Sequence, residues 1–343
     1  MLQKAFKTAC MASLLLLPAV SNLSIAAPAS TSYDKNPKVQ AFIGEMVTRH
    51  GFNRDELTRL FSQAQRREDI LELMRKPAEK RLQWFEYRKI FLTQSRIEGG
   101  VAFWKNNADI LDRAATSFGV DPQIIVAIIG VETRYGGNTG RHRVLDALST
   151  LAFDYPPRAD FFRGELEQYL VLARENDFDL LGTTGSYAGA MGYGQFIPSS
   201  YRAYAVDFDN DGKRDLWGSP DDIIGSVANY FHRHGWEPGG PVAIPATVSG
   251  NRHQQILDRG YQPNTVLDTM RQVGVTPDRP ALDDLPVALL SFQMKDGPEY
   301  WIGFNNFYVI TRYNHSPLYA MAVYQLSEEI REAYEQNLQL SYE

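Results

Sequence analysis

The stretch Asp121-Pro122-Gln123-Ile124-Ile125-Val126-Ala127-Ile128-Ile129-Gly130-Val131-Glu132-Thr133-Arg134-Tyr135-Gly136-Gly137 decides the fold class. Asp followed by Pro is a helix start, because Pro suits the first helical position, where no backbone N–H is needed. From Gln123 to Val131 the run is almost wholly apolar, so the helix is predicted to be buried on most sides. Gly136-Gly137 predicts its end near Tyr135, since glycine adopts the left-handed cap without strain. One carboxyl group, Glu132, follows the apolar run. Burial and the negative end of the helix dipole both disfavour its charge, which would keep it protonated and able to donate a proton. The competing reading is a carboxylate paired with Arg134 or another cation.

Three further segments carry chemistry. Asp207-Phe208-Asp209-Asn210-Asp211-Gly212-Lys213 opens like an EF-hand loop, with acids at alternate positions, Gly at the turn and a Lys213 carbonyl next. Clustered aspartates repel one another unless a cation lies among them. The EF-hand Glu is replaced by Gly218, and Asp222, after Asp221, is expected to close a longer loop. The alternative is a solvated acidic turn. The segment Gly185-Ser186-Tyr187-Ala188-Gly189-Ala190-Met191-Gly192-Tyr193-Gly194-Gln195-Phe196 lets backbone approach a ligand and offers Ser186, Tyr193 and Gln195, or is a packed junction. In Arg312-Tyr313-Asn314-His315-Ser316-Pro317-Leu318-Tyr319 the rings suit sugar faces and the amide suits hydroxyls, unless the tyrosines are core. Trp84 and Tyr87-Arg88 form a weaker group of the same type. No phosphate loop, nucleotide fingerprint, His-Glu-x-x-His or complete Gly-x-Ser-x-Gly motif is present.

Around these motifs the pattern is mainly helical. Phe42, Met46, Leu57, Leu60 and Phe61 recur at helical spacing, Asn53 and Glu56 resemble a capping box, and Lys76-Pro77 interrupts the pattern. Residues 143–180 read as helix broken at Tyr155-Pro156-Pro157, 182–200 as loop plus short helix, and 222–233 as a second buried helix. From 240 to 300 alternation becomes strand-like, as in Val242–Val248, and helix returns from 305.

A chain of 343 residues with 44% hydrophobic and 22% charged residues is long enough for two domains or one composite core. Its formal charge of −6 argues against nucleic-acid binding. Lys4 and Lys7, the apolar run to Leu17, Pro18 and the small residues Ser24 and Ala26 form the layout of a signal peptide cleaved after Ala26. The single cysteine, Cys10, leaves with this leader, which excludes disulfides, thiol catalysis and a lipid anchor, and points to a bacterial periplasm. The expected organisation is leader 1–26, linker 27–36, helical N-terminal domain 37–115, core 116–240 with its calcium loop at 207–222, small α/β domain 241–300, and a returning segment 301–343.

In their order along the chain, the four motifs resemble the lytic murein transglycosylase B family. The resemblance runs from about residue 37 to the C-terminus. It implies a mainly α (α+β) fold: a lysozyme-like α core, a helical N-terminal domain and a small β-containing domain. It implies cleavage of the β-1,4 bond between N-acetylmuramic acid and N-acetylglucosamine in peptidoglycan, without addition of water, leaving 1,6-anhydromuramic acid ends. Glu132 falls on the family's catalytic glutamate. Ser186, Gln195, Tyr313, Asn314 and Tyr319 fall on its glycan site, with Tyr193 beside them. Tyr87 and Arg158 match its peptidoglycan contacts, and Asp207, Asp209, Asp211, Lys213 and Asp222 match its structural calcium loop. No organic cofactor is implied. Peptidoglycan strands are the expected partner, and the resemblance leaves open proteins of wall synthesis or division. Where some members carry a second basic residue, this chain has Pro157, which weakens the match at a peptide contact. The open alternatives are a hydrolytic muramidase with the same acid and a non-catalytic peptidoglycan-binding protein.

Overall fold

In the computed structural model, which describes residues 32–75, 82–280 and 283–341, the apolar run is an α-helix, Pro122–Thr133, with nine of its twelve residues buried. Each fully buried Ile or Val there contributes about 2 kcal/mol of transfer free energy. Asp121 holds the N-cap position with extended backbone but makes no side-chain cap bond. The C-terminal end differs from expectation. The glycines do not make the cap: Arg134 (φ 52°) and Tyr135 (φ 59°) are both left-handed, and Gly136 follows at φ 88°. Two non-glycine residues pay this strain because tertiary contacts hold them, as described below.

The helices before the run are α1 (Pro37–His50), α2 (Arg54–Ser62), α3 (Glu68–Arg75), α4 (Trp84–Phe91), α5 (Gln94–Asn106) and α6 (Ala108–Phe118), and the run itself is α7. Then come β1 (His142–Arg143), α8 (Val144–Asp154), α9 (Ala159–Asn176), β2 (Thr184–Gly185), α10 (Pro198–Tyr204) and α11 (Pro220–Arg233). The break between α8 and α9 is a 3-10 turn at Pro156–Arg158, where consecutive prolines withhold backbone donors. Asn53 caps α2 through bonds from Asp55 N and Glu56 N. The Lys76-Pro77 interruption and the leader lie outside the described residues.

Packing divides the chain differently from its linear order. One core gathers Trp84, Tyr87, Trp104 and Leu111 with α7, α11 and the C-terminal helix. A second gathers Phe42, Met46, Leu57, Phe61 and Ile70 with α8, α9 and the segment 191–216. The expected helical unit 37–115 is therefore split: α1–α3 belong to one core and α4–α6 to the other. Of the expected 27–36 linker, the described residues 32–36 are packed rather than extended. Tyr33–Lys35 is a 3-10 turn, and Tyr33 is 3% exposed with its Oη donating to Asp154 Oδ2.

The strand-like region forms a four-stranded antiparallel sheet, β3 (Ala243–Val248), β4 (Val275–Pro277), β5 (Ala288–Met294) and β6 (Gly297–Gly303), in the order β4-β3-β6-β5. Alternate residues such as Ile244, Leu289 and Ile302 pack with the short helices α12 (Gln254–Leu257) and α13 (Leu267–Gln272) as a third small core. Then α14 (Asn305–Tyr313) and α15 (Pro317–Ser341) return the chain to the first core, where α15 packs on α7, α5 and α4. No single helix among the described residues is long and apolar enough to cross a membrane.

Candidate active site

Glu132 is half-buried on the last turn of α7, between buried Val131 and Thr133. The turn after it is clamped from two sides. Tyr135 drops its ring into a seat made by three glycines: a Cβ on Gly99, Gly100 or Gly130 would fall within 2.8 Å of that ring or its hydroxyl. Its Oη donates to Arg96 O at 2.7 Å. Arg96, itself buried, donates from Nε to Gly130 O at 3.0 Å, a cation on the carbonyl end of α7. On the other side, Thr133 Oγ1 accepts from Gly136 N at 3.1 Å and donates to Tyr193 O at 3.0 Å. The sequence does not single out Thr133, Tyr135 or Arg96 for these roles. Thr133 and Tyr135 stand within the decisive stretch, and Gly99-Gly100 was a signal for close approach by a large ring; Arg96 left no signal.

The glycine-rich segment is stapled to this turn. The Tyr193 ring covers Gly136 so closely that a Cβ there would lie 1.9 Å from Tyr193 Cζ. Gly140 faces Gly185 backbone with equally little room. Gln195, left-handed at φ 50°, donates from Nε2 to Gly192 O at 2.9 Å and Thr139 O at 3.2 Å. Ser186 Oγ accepts from Ala190 N at 3.0 Å and from Ala188 N at 3.3 Å. With its lone pairs so occupied, its hydroxyl is left to act as a donor.

The third segment closes the site. Tyr319 is 3% exposed, on the first turn of α15, and its Oη donates to Glu132 Oε1 at 2.5 Å. Tyr313 donates to Gly194 O at 2.6 Å and stacks on Phe231 at 5.7 Å. Burial, and then the charge of Glu132, hold both phenols well above the ordinary tyrosine range, so both remain donors. Asn314 is half-buried between them in sequence, in extended backbone. Tyr319 thus bonds Glu132, Tyr193 bonds and covers the turn after it, and Gln195 and Tyr313 bond the glycine-rich segment beside it, which also carries Ser186.

Of two further expected contacts, one is buried beside Tyr319 and the other lies apart. Tyr87 is 2% exposed, packed against Phe91 at 5.1 Å and within electrostatic reach of Tyr319, so it offers little surface to a ligand. Arg158 is exposed on the 3-10 turn, with its guanidinium over Phe161 at 4.1 Å, on the surface of the other core.

In the acidic loop, one carboxylate oxygen each of Asp207, Asp209 and Asp211 lies within 4.8 Å of the others. Gly212 supplies the left-handed turn at φ 91°. Three convergent hard oxygen donors, with the Lys213 carbonyl next in the chain, fit a calcium ion. Asp222 does not join them. It is fully buried at the third position of α11, and its two oxygens accept from Phe208 N and Asp215 N, each at 2.7 Å, tying the two ends of the loop together. Asp221 pairs with Arg113.

Residues 34–328 match the Transglycosylase SLT domain family. The chain is 46% identical over 307 residues to the membrane-bound lytic murein transglycosylase B of Escherichia coli, covering 87% of this chain and 84% of that protein. Its fold is similar to that of the soluble lytic transglycosylase SltB1 of Pseudomonas aeruginosa, with a TM-score of 0.82, 52% identity, and coverage of 87% of this chain and 99% of that one. It is also similar to the E. coli lytic transglycosylase SLT35 in complex with calcium, at TM-score 0.80 and 46% identity, covering 88% and 94%. SltB3 of P. aeruginosa, in complex with NAG-NAM-pentapeptide, matches at TM-score 0.77 and 30% identity, covering 86% and 79%. The mainly α architecture thus has relatives along most of the sequence, and the chain belongs to the SLT-domain transglycosylases.

Proposed function

We infer that the protein is a peptidoglycan lytic transglycosylase in which Glu132 serves first as acid and then as base. The observation that carries this assignment is the bond from the buried Tyr319 hydroxyl to Glu132 Oε1 at 2.5 Å. It fixes one carboxyl oxygen of Glu132 in place. Ordinary glycosidases use two carboxylates; one suffices when the sugar supplies the nucleophile. Protonated Glu132 gives its proton to the glycosidic oxygen, and the bond from that oxygen to the anomeric carbon of N-acetylmuramic acid breaks. The sugar's acetamido oxygen supports the electron-poor carbon, oriented by the Ser186 hydroxyl. Ionised Glu132 then takes the proton of the C6 hydroxyl as O6 bonds to the anomeric carbon. The 1,6-anhydro ring closes, the acid is regenerated, and no water enters. Tyr193, Gln195, Tyr313 and Asn314 line the glycan path in this reading, with Tyr87 behind it and Arg158 meeting more distant parts of the polymer.

In the same reading, residues 116–240 supply the acid and the metal loop, 301–343 supply the tyrosines, and 241–300 form the small α/β unit. Cleavage of the leader would release the enzyme to the periplasm, where peptidoglycan is its partner.

Mass spectrometry of fragments released from purified sacculi tests the reaction. Muropeptides one water lighter than hydrolytic products, without reducing ends, are expected. Reducing ends would instead mean hydrolysis by an activated water.

Calcium, when bound, neutralises the three loop carboxylates; Asp207, Asp209, Asp211 and the Lys213 carbonyl would hold it. Its role is structural. Added to metal-stripped protein at about 100 times its dissociation constant, it is expected to stabilise the fold by about 2.7 kcal/mol. An unchanged melting temperature would remove the metal assignment.

A further inference from the structure

A continuous run of bonds joins the acidic loop to the Glu132 turn. Asp222 ties Phe208 N to Asp215 N, so both ends of the loop share one anchor. The next residue, Leu216, is 2% exposed and packs in the second core. Its carbonyl accepts from Tyr193 N at 2.9 Å. Tyr193 O in turn accepts from Thr133 Oγ1 at 3.0 Å, and the Tyr193 ring covers Gly136 on the turn that follows Glu132. Gly192 keeps the approach tight, because a Cβ there would lie 2.6 Å from Leu216 O. One residue, Tyr193, therefore separates the end of the acidic loop from the catalytic turn.

Charge supplies the lever. The loop carboxylates of Asp207, Asp209 and Asp211 converge within 4.8 Å, and like charges at that range repel even in water. Without a cation, the repulsion favours open forms of the loop, in which Leu216 O is not held toward Tyr193. A divalent cation favours the closed form. A glycan strand packed on Tyr193 favours the same form, because it holds the residue that Leu216 bonds. Two ligands that favour one state of a shared element raise each other's affinity by the same factor.

We propose that Leu216 is a positioning residue for the Glu132 turn, and that through it calcium at the acidic loop and glycan at Tyr193 bind cooperatively. The proposal rests on the calcium reading of the loop and the glycan reading of Tyr193. The metal's part stays structural, but what it holds in place includes the catalytic turn, so cutting of the wall follows the supply of calcium.

The first test follows hydrogen exchange of the Tyr193 amide by NMR in the full mature protein, metal-stripped and then saturated with calcium. Protection at Tyr193 is expected to rise about tenfold more than in the β3–β6 sheet, whose residues Ile244, Leu289 and Ile302 pack in the third core. A uniform rise would be general stabilisation and overturns the proposal, as does no rise. The second test titrates calcium by calorimetry into Glu132→Gln, which keeps the sugar uncut. It is run with and without a saturating peptide-free oligosaccharide of alternating N-acetylglucosamine and N-acetylmuramic acid. The sugar is expected to lower the calcium dissociation constant about fivefold, and calcium to lower that of the sugar by the same factor. A calcium affinity indifferent to the sugar overturns the coupling. Adding Gly192→Ala, at φ 69°, sets a methyl group against Leu216 O. Calcium should still bind within about twofold of its former affinity, while the cooperativity factor falls to about one. Should that variant misfold, the exchange measurement decides alone. If calcium gives no heat, the metal assignment fails and the proposal with it. If the sugar does not bind, the glycan reading fails, and exchange at Tyr193 still decides whether the loop holds the turn.

Discussion

Glu132→Gln is expected to lower single-turnover cleavage of glycan strands by about 10³- to 10⁴-fold, within the range of about 10²- to 10⁴-fold for a positioned acid-base group. The upper end applies because one carboxyl group makes both proton transfers. Binding should change little. Gln is isosteric, its amide oxygen still accepts from Tyr319 Oη, and the position is half-buried rather than fully enclosed. Calorimetry with intact strands should give an affinity within about threefold of wild type, the size of a lost hydrogen bond to a neutral partner. A variant cutting within tenfold of the wild-type rate would take the acid role away from Glu132.

Gly136→Ala should be nearly as damaging, for a different reason. At φ 88° an alanine pays about 1 kcal/mol for left-handed backbone, and its Cβ would lie 1.9 Å from Tyr193 Cζ, so the ring must move. Overpacking of this type costs about 1–3 kcal/mol more. Chemical denaturation should show a loss of about 3 kcal/mol, and cleavage should fall at least about tenfold as Tyr193 leaves the Glu132 turn. Gly137→Ala is the control. It has no left-handed φ, and its nearest neighbour, Arg134 O, is 3.3 Å away, so it should stay close to wild type. Equal effects at the two positions would show that the Tyr193 contact does not govern the turn.

Local chemistry explains which features were legible in the sequence. Asp121-Pro122 and the apolar run marked α7 because helix starts and burial patterns are written in adjacent residues. The acidic loop was legible because metal ligands there follow one another in the chain. What was not legible depends on distant partners. Arg134 and Tyr135 are left-handed because Gly99, Gly100 and Arg96 seat the tyrosine ring, and no cap rule covers that. Asp222 had the right type and spacing for a ligand, yet lies on the inner face of α11, where two loop amides claim it. The helices of 37–115 all looked alike by periodicity; only their contacts sort α1–α3 from α4–α6.

The bond between Tyr319 and Glu132 joins residues 187 positions apart. A nascent chain of 300 residues already contains the glutamate but has neither Tyr313 nor Tyr319. No shorter intermediate of synthesis contains the Tyr319–Glu132 pair. Assembly of this pair thus waits until the last helix has docked on α7.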